Sequence, residues 1–216
     1  MTSTPRRRRY ASPRRTEQAR ATKQRVLDAA QELFLAHGFA KTTIVAVAAA
    51  AGVSPETIYA TFDGKRALLE GVIDATIMGP QAPVPLEAQA EWDRIADQPT
   101  ARERLRAYVM FSCGVLARTS AVHHVIRGAA DSEPFAVELC ARLLRERLAS
   151  NTQRLRAYVG PELRVGLDLR GAAERYCALS SPEMHHLLTV RIGWSPRRYA
   201  AWLSEVAELD LLGAPA

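Results

Sequence analysis

Residues 48–65 read AAAAGVSPETIYATFDGK, which has the outline of a helix, a glycine turn and a second helix. Thr43 can cap the first helix, and Gly52 can turn the chain. Ser54 can cap the second helix, with Pro55 at its first position, where a missing N–H costs no hydrogen bond. Two short helices joined in this way form a helix-turn-helix, whose second helix lies in the major groove of DNA. On geometry alone, an αα-hairpin inside a larger bundle fits the same pattern.

The rest of the chain is also predicted to be helical, so the fold class is all-α. Apolar content is 48%, and no segment has the alternating pattern of a strand. A first helix is predicted to begin near Thr16 and to end at Gly38, and a fourth helix follows Gly64. The segment 78–85, MGPQAPVP, reads as a helix-breaking linker. Further helices are predicted at 100–118, 120–130, 134–158, 169–180, 182–191 and 196–212.

Positive charge is concentrated at the start of the chain. The net charge is +6, but residues 1–25 alone carry nine Lys or Arg and one Glu, whereas the remainder has no net positive charge. A basic leading segment on such a body indicates a polyanionic partner, most simply nucleic acid. The predicted domains are a basic flexible arm (1–15), a helix-turn-helix domain (16–79) and a second helical domain (80–216).

Other features argue against several protein classes. The longest uncharged apolar stretch, residues 44–53, is far shorter than the ~20 residues of a membrane-spanning helix. Asp28 and Glu32 interrupt the apolar residues that follow the arginines, so a secretion signal is not expected. Three widely spaced cysteines indicate reduced thiols rather than a disulfide framework. We therefore expect a cytoplasmic protein with no membrane partner.

Residues 38–72, GFAKTTIVAVAAAAGVSPETIYATFDGKRALLEGV, closely resemble the DNA-binding domain of TetR-family (TetR/AcrR-type) transcriptional regulators. The matching residues, in order and without gaps, are Gly38, Phe39, Thr42, Thr43, Ala48, Ala51, Gly52, Val53, Ser54, Thr57, Tyr59, Phe62, Lys65, Leu68 and Leu69. A looser resemblance continues through 118–134 and 178–203 to a ligand-binding domain found in one large bacterial subgroup. The resemblance implies a homodimeric repressor that a small-molecule effector releases from a double-stranded DNA operator, with no cofactor.

The resemblance also implies which residues contact DNA. Thr43, Thr57, Tyr59 and Lys65 would bind phosphates, because hydroxyls, helix N-termini and an ammonium all suit phosphate oxygens. A plain helix cap at Thr43 and a packed aromatic ring at Tyr59 are the alternatives. The full set of expected DNA-binding residues is Arg6, Arg7, Arg8, Arg9, Arg14, Arg15, Thr42, Thr43, Ser54, Pro55, Glu56, Thr57, Tyr59, Ala60 and Lys65.

The predicted recognition helix departs from the family pattern in its charge. Family members often carry basic residues at Val45 and Pro55, Gly at Glu56 and His at Ala60. Glu56 either accepts a hydrogen bond from a cytosine N4 or is solvated in the first helical turn. We therefore expect the arginines of the arm to supply most of the attraction to DNA, in the narrow minor groove. A merely solubilising tail is the alternative.

The second domain is expected to dimerise and to bind the effector. Tyr199, Leu203, Val206 and Leu209 lie at helical spacing, which is typical of a core stripe, but the resemblance implies an intersubunit four-helix bundle. The residues expected to line an effector pocket are Trp92, Tyr108, Phe111, Cys113, His123, His124 and Arg127. Packing or surface roles for these residues remain open.

Other functions are less well supported by the sequence. Two histidine pairs, at 123–124 and 185–186, together with Cys177 leave a metal- or redox-responsive regulator open. However, neighbouring helical residues point ~100° apart, so the two members of a pair do not bind one metal ion from one face of the helix. No metal site is predicted. No catalytic residues are predicted either, since the sequence lacks a Gly-x-Ser-x-Gly elbow, a phosphate-binding loop and a His-Glu-x-x-His set. A less specific DNA-coating protein that relies on its basic arm is a further alternative.

Overall fold

The computed structural model describes residues 13–79 and 90–214, with side chains from residue 16 onward. These residues form helices joined by short turns, with no β-strand among them, so the all-α prediction is confirmed. The N-terminal helices are α1 (Pro13–Lys41), α2 (Ile44–Ala51), α3 (Pro55–Thr61) and α4 (Gly64–Met78). The helices of the body are α5 (Glu91–Ala96), α6 (Ala101–Ala129), α7 (Pro134–Val159), α8 (Leu169–Leu179), α9 (Pro182–His186) and α10 (Pro196–Leu212).

Helix α1 begins at Pro13, ahead of the predicted start near Thr16. Proline suits a first helical turn because its φ is already close to the helical value. The helix is interrupted at the predicted residue, Gly38, which has φ +75°, a conformation that favours glycine. Thr42 Oγ1 donates to the carbonyls of Leu33 and Gly38, 3.1 and 2.8 Å away, and so fastens the end of α1.

The core of the N-terminal helices continues into the body. Phe34, Ile58 and Leu69 are buried where α1 to α4 meet, and they belong to the same apolar cluster as Ile126 of α6 and Leu139 of α7. The packing of apolar side chains thus crosses the predicted boundary near residue 80, and the division into domains there stays a prediction. A second cluster in the body surrounds α6, α8 and α10.

Helix α6 runs through the middle of the body as one helix of 29 residues. The sequence prediction divided it into 100–118 and 120–130, which is wrong. Thr119 donates its hydroxyl to the carbonyl of Val115, 2.9 Å away, and no glycine or proline interrupts the helix there. Thr100 begins the helix with a capping box, in which it and Glu103 bond to each other's backbone N–H.

Two short elements differ from the prediction. Helix α5 was not predicted, and it is held to the body by the buried side chains of Trp92 and Ile95. The predicted helix 182–191 is α-helical only as far as His186, and one wider π-helical turn, Leu187–Arg191, completes it. Helices α7, α8 and α10 begin where the sequence predicts.

By length and composition, α6 would be able to cross a membrane. In the structure it is the central core helix, in contact with α1, α4, α7, α9 and α10. Leu105, Val109 and Ile126 are buried against these neighbours. Packing within the protein thus accounts for the apolar character of these buried residues of α6.

Candidate DNA-binding surface and body cavity

Helices α2 and α3 form the turn-joined pair that the sequence predicts. Their axes differ in direction by 103°, within the range of about 90–120° for a helix-turn-helix. Gly52 ends α2 in the left-handed conformation, at φ 66° and ψ 40°, and its N–H bonds back to the last turn. Ile58 is fully buried beneath α3. One face of α3 is therefore anchored, and the opposite face is presented to solvent.

Hydroxyl groups surround the exposed N-termini of these two helices. Ser54 accepts a hydrogen bond from the N–H of Thr57 at 3.3 Å, and the two hydroxyl oxygens are 3.2 Å apart. Thr43 caps α2 in the same way, accepting from the N–H of Ala46 at 3.1 Å. Tyr59 is 60% exposed on α3. Because helix N-termini and hydroxyls both donate to phosphate oxygens, this surface suits a polyanion.

The remaining predicted residues of α3 lie on or beside this surface. Glu56 and Ala60 are exposed, and Pro55 is half-buried at the start of the helix. Hydrogen bonds from its own backbone N–H and from Ser54 hold the pKa of Glu56 below its ordinary value. Glu56 is therefore an anion at neutral pH, in the first turn, where the helix dipole stabilises it.

The side chains of two predicted contact residues form contacts inside the protein itself. Thr42 is only 2% exposed, and its hydroxyl fastens the end of α1, so it supports the exposed surface from within and does not belong to it. Lys65 is half-buried, with Nζ donating to the carbonyl of Phe39 at 3.0 Å and lying 4.2 Å from the centre of that ring. An ammonium has three donors, so Lys65 retains capacity for a phosphate.

Most of the predicted basic arm precedes the first described residue. Arg6, Arg7, Arg8 and Arg9 lie outside the described residues. Arg14 and Arg15 fall in the first turn of α1, but their side chains are likewise outside the described part of the chain. Their contacts with DNA stay a prediction.

The body contains a partly open cavity of about 210 Å³ between α6 and α7. Ile77, in the last turn of α4, and Trp92 of α5 also line it. The Trp92 ring lies 4.3 Å from that of Phe111 and 6.3 Å from that of Tyr108, measured between centroids, so one wall is aromatic. The cavity is thus bounded both by the body and by the helix that leads into the helix-turn-helix.

The wall formed by α7 is polar. Asn151 is buried, and its Oδ1 accepts a hydrogen bond from the hydroxyl of Tyr108 at 2.6 Å. Arg147 lies one turn earlier on the same face. His123 faces them from α6, and burial, followed by the nearby Arg147 charge, lowers its pKa to about 4, so it is neutral at pH 7. An apolar cavity with a few convergent polar groups is the usual form of a small-molecule site.

Comparison with known proteins identifies the N-terminal domain. Residues 26–72 match the family described as bacterial regulatory proteins, tetR family. Over 56 residues, 26% of this chain, the sequence is 39% identical to two Pseudomonas putida proteins. They are the uncharacterized HTH-type transcriptional regulator TtgW and the HTH-type transcriptional regulator SrpR. The matches span 42% and 26% of those proteins, so the chain aligns with less than half of either relative.

Solved structures extend the likeness to the whole fold. NalD from Pseudomonas aeruginosa, the secondary repressor of the MexAB-OprM multidrug efflux pump, superposes with a TM-score of 0.66 at 20% identity. That superposition covers 90% of this chain and 98% of NalD. FadR from Bacillus subtilis, solved in complex with stearoyl-CoA, gives a TM-score of 0.67 at 20% identity and covers 89% of this chain and 99% of FadR. Residues 26–72 thus belong to a tetR-family domain, and the chain shares its overall fold with NalD and FadR.

The cavity contains four of the seven residues predicted to bind an effector: Trp92, Tyr108, Phe111 and His123. Cys113 is buried in the core beside it and does not line the wall. Burial raises the pKa of its thiol to about 11.

The other two predicted residues, His124 and Arg127, line an adjoining cavity together with His186, and His123 lines both cavities. The rings of His124 and His186 are stacked, 4.4 Å apart and 9° from parallel. The structure therefore distributes the predicted pocket residues over two adjoining cavities that meet at His123.

The metal- and redox-responsive alternatives gain no support from the described residues. Within 13–79 and 90–214 no group of three or more His, Cys, Asp or Glu side chains could hold a metal ion. His185, the partner considered for Cys177, instead places Nδ1 3.0 Å from the hydroxyl of Ser120. Cys113 and Cys177 are both buried free thiols.

Sequence reasoning missed the polar wall of the cavity. Leu143, Arg147, Asn151 and Leu155 recur every four residues on α7, so they share one face of the helix. A charged residue and an amide within an otherwise apolar stripe were the available signal.

Proposed function

We propose that this protein is a transcriptional regulator that binds operator DNA as a symmetric dimer and is released by a small molecule in the body cavity. The observation that carries the DNA-binding part is the exposed face of α3. That face presents Ser54, Thr57 and Tyr59 on a helix at 103° to α2, and Thr43 caps the N-terminus of α2. An α-helix presented in this way fits the major groove, with backbone N–H groups and hydroxyls directed at phosphates.

Base contacts from this face would be few, because α3 offers no cation and carries the anionic Glu56. The arm, with Arg6 to Arg9, supplies the attraction that α3 lacks. Each phosphate neutralised by a cation adds about 0.9 to the slope of log affinity against log salt. Affinity would therefore depend steeply on salt, while the identity of the operator depends on α3.

A second copy of the chain would cover the outer face of the last elements. Val190, Ile192 and Leu209 are 57–61% exposed there. Of the stripe predicted for dimerisation, Tyr199 and Leu203 are fully buried within the subunit's own core, which leaves Val206 and Leu209 for a partner. A two-fold axis through this face would present two α3 helices to two half-sites.

The link between ligand and DNA would run through α4. Ile77 lines the cavity, and the same helix packs against α1 in the N-terminal domain. A ligand that favours one position of the last turn of α4 would change the spacing of the two α3 helices. FadR, with the same fold, was solved with stearoyl-CoA bound, which supports a ligand-binding role for this body.

The test is the affinity of the full-length protein for the DNA upstream of its own gene and for a random duplex of equal length. Fluorescence anisotropy at physiological salt gives both values. Regulatory binding predicts a ratio on the order of 10³ or more in favour of the upstream DNA. A ratio near one would instead favour a DNA-coating role that relies on the arm.

A further inference from the structure

The body cavity contains a chain of hydroxyl groups that ends at one side chain. The Tyr176 hydroxyl donates to Ser112 Oγ at 2.9 Å, and the Tyr108 hydroxyl, beside Ser112, donates to Asn151 Oδ1 at 2.6 Å. Tyr176 and Tyr108 are buried with stacked rings, 5.2 Å between centroids. The orientation of the Asn151 amide is thereby fixed, with its oxygen satisfied and its Nδ2 directed away from Tyr108.

Asn151 Nδ2 is a buried donor that lacks an acceptor among the described residues. The residue is only 6% exposed. Buried amide donors in proteins are nearly always hydrogen-bonded, and leaving one unmet is unfavourable. An acceptor supplied from within the cavity would complete the network.

Arg147 provides a second donor, one turn from Asn151. Its Nε is also buried with no hydrogen-bond partner in the described part of the chain. Glu146 also lines the cavity, but its carboxylate is 58% exposed and lies 3.8 Å from Arg142, and within 13–79 and 90–214 no acidic side chain forms an ion pair with Arg147. A half-buried guanidinium without a counter-ion favours an anion in the space it faces.

The aromatic part of the cavity selects for a ring. Trp92 and Phe111 lie 4.3 Å apart and 54° from parallel, and the guanidinium of Arg154 covers the Trp92 ring at 3.7 Å. Aromatic rings pack favourably against such tilted pairs. A volume of about 210 Å³ is below the ~300–1,000 Å³ of drug-sized pockets, so the ligand would be compact.

We propose that the cavity binds a compact aromatic carboxylate, with its ring against Trp92 and Phe111 and its carboxylate accepting hydrogen bonds from Asn151 Nδ2 and Arg147 Nε. This assignment rests on the proposed function in that it names the effector class of the same cavity. It differs from a general apolar pocket because it requires both the charge and the ring. His123 stays neutral in the empty cavity, and a bound carboxylate nearby would favour its protonation.

The test is isothermal titration calorimetry of the purified full-length protein with four matched compounds. They are 2-naphthoate, its neutral amide 2-naphthamide, the cation 2-naphthylmethylammonium and the aliphatic acid octanoate. We expect 2-naphthoate to bind once per chain and each of the other three to bind about tenfold or more weakly, because each lacks the charge or the ring. Equal affinity for 2-naphthoate and 2-naphthamide, or failure of the protein to bind 2-naphthoate at all, would overturn the proposal.

Substitutions on α7 locate the binding site. Asn151→Asp replaces the donor by an acceptor of the same shape, and Arg147→Met removes the charge while keeping an unbranched apolar side chain. Each is expected to weaken 2-naphthoate binding about tenfold or more. Gln153→Glu and Arg145→Met, on the exposed side of the same helix, are the controls and should bind within about twofold of the unsubstituted protein. Loss of binding in the controls, or none in the cavity variants, would contradict the assignment.

Folding and function are separated from binding by two further measurements. Circular dichroism of each variant reports whether its helices are intact. If a variant unfolds, the ring contact is tested instead by the quenching of tryptophan fluorescence by 2-naphthoate, which is compared between the unsubstituted protein and Trp92→Phe. Binding is measured without DNA, so 2-naphthoate that binds but leaves operator affinity unchanged would refute release by this ligand and leave the cavity assignment standing. Operator binding with no affinity for 2-naphthoate would refute the cavity assignment and leave the proposed DNA-binding function standing.

Discussion

Arg118 joins the body to the helix that leads into the DNA-binding domain. Its Nε donates to the carbonyl of Thr76 at 3.2 Å and its Nη2 to that of Ile77 at 3.4 Å, both in the last turn of α4. Its Nη1 donates to Gly114 within α6, 3.0 Å away. Burial lowers the pKa of the guanidinium, although it remains charged at any physiological pH. One side chain of α6 thus satisfies carbonyls at the end of α4.

Arg118→Met removes these bonds while keeping an unbranched apolar stem. We assign about 1 kcal/mol to each of the two bonds to α4, because they are charge-assisted but only partly buried. The lost attraction between a cation and the C-terminus of α4 adds about 0.5 kcal/mol. The expected loss of unfolding free energy is therefore about 2–3 kcal/mol, or a fall of about 4–12 °C in the melting temperature for a chain of this size.

Urea unfolding followed by circular dichroism, at one fixed protein concentration, measures this loss. Arg145→Met, an exposed arginine on α7, is the matched control and should change the free energy by no more than about 0.5 kcal/mol. Arg118→Lys keeps the charge without the planar fork and should lie between the two. If Arg118→Met were as stable as Arg145→Met, the contact between α6 and α4 would contribute nothing, and coupling through this joint would be refuted.

Three further predictions concern DNA affinity and pH. Deleting residues 1–12 removes four arginines and leaves α1 intact, so anisotropy titrations should show operator affinity several-fold lower and a flatter salt dependence; unchanged affinity and slope would make the arm irrelevant. The Tyr59 hydroxyl has no hydrogen-bond partner among the described residues. Tyr59→Phe should therefore lower operator affinity about tenfold in the same assay without altering stability, and an unchanged affinity would refute its contact with a phosphate. The pKa of His123 is about 4 in the folded protein and about 6.5 in the unfolded chain. The folded protein therefore binds fewer protons, and the unfolding free energy should fall by up to ~3 kcal/mol as the pH drops from 6.5 to 4. In urea unfolding across that pH range His123→Gln should reduce this fall, while His37→Gln, at an exposed position, should not.

Local sequence signals predicted the helix-turn-helix and most helix starts, because the decisive residues act within one turn of their position. A helix end is specified by capping or by backbone conformation alone at Ser54 and Pro55, at Ser195 and Pro196, and at Gly52. The division of α6 failed for the opposite reason. Nothing local marks Thr119 as helical, and its place is set by packing of the whole helix against the body.

The candidate sites were predictable to different degrees. The exposed face of α3 follows from helical periodicity around Ile58, which fixes the side that is buried. Thr42 could not be distinguished from Thr43 by sequence, because its burial depends on how α1 ends against α2. Arg147 and Asn151 come next to the aromatic wall only through the packing of α7 on α6, which no local pattern encodes.

The most direct test of the central claim is a footprint of the full-length protein on the DNA upstream of its own gene. The account predicts one protected region with two-fold symmetry, whose half-sites are about one helical turn or a multiple of it apart, bound by two chains. Protection should disappear as salt is raised and should require α3 as well as the arm. Uniform protection of any duplex, or no protection at low salt from a chain that stays monomeric, would contradict it.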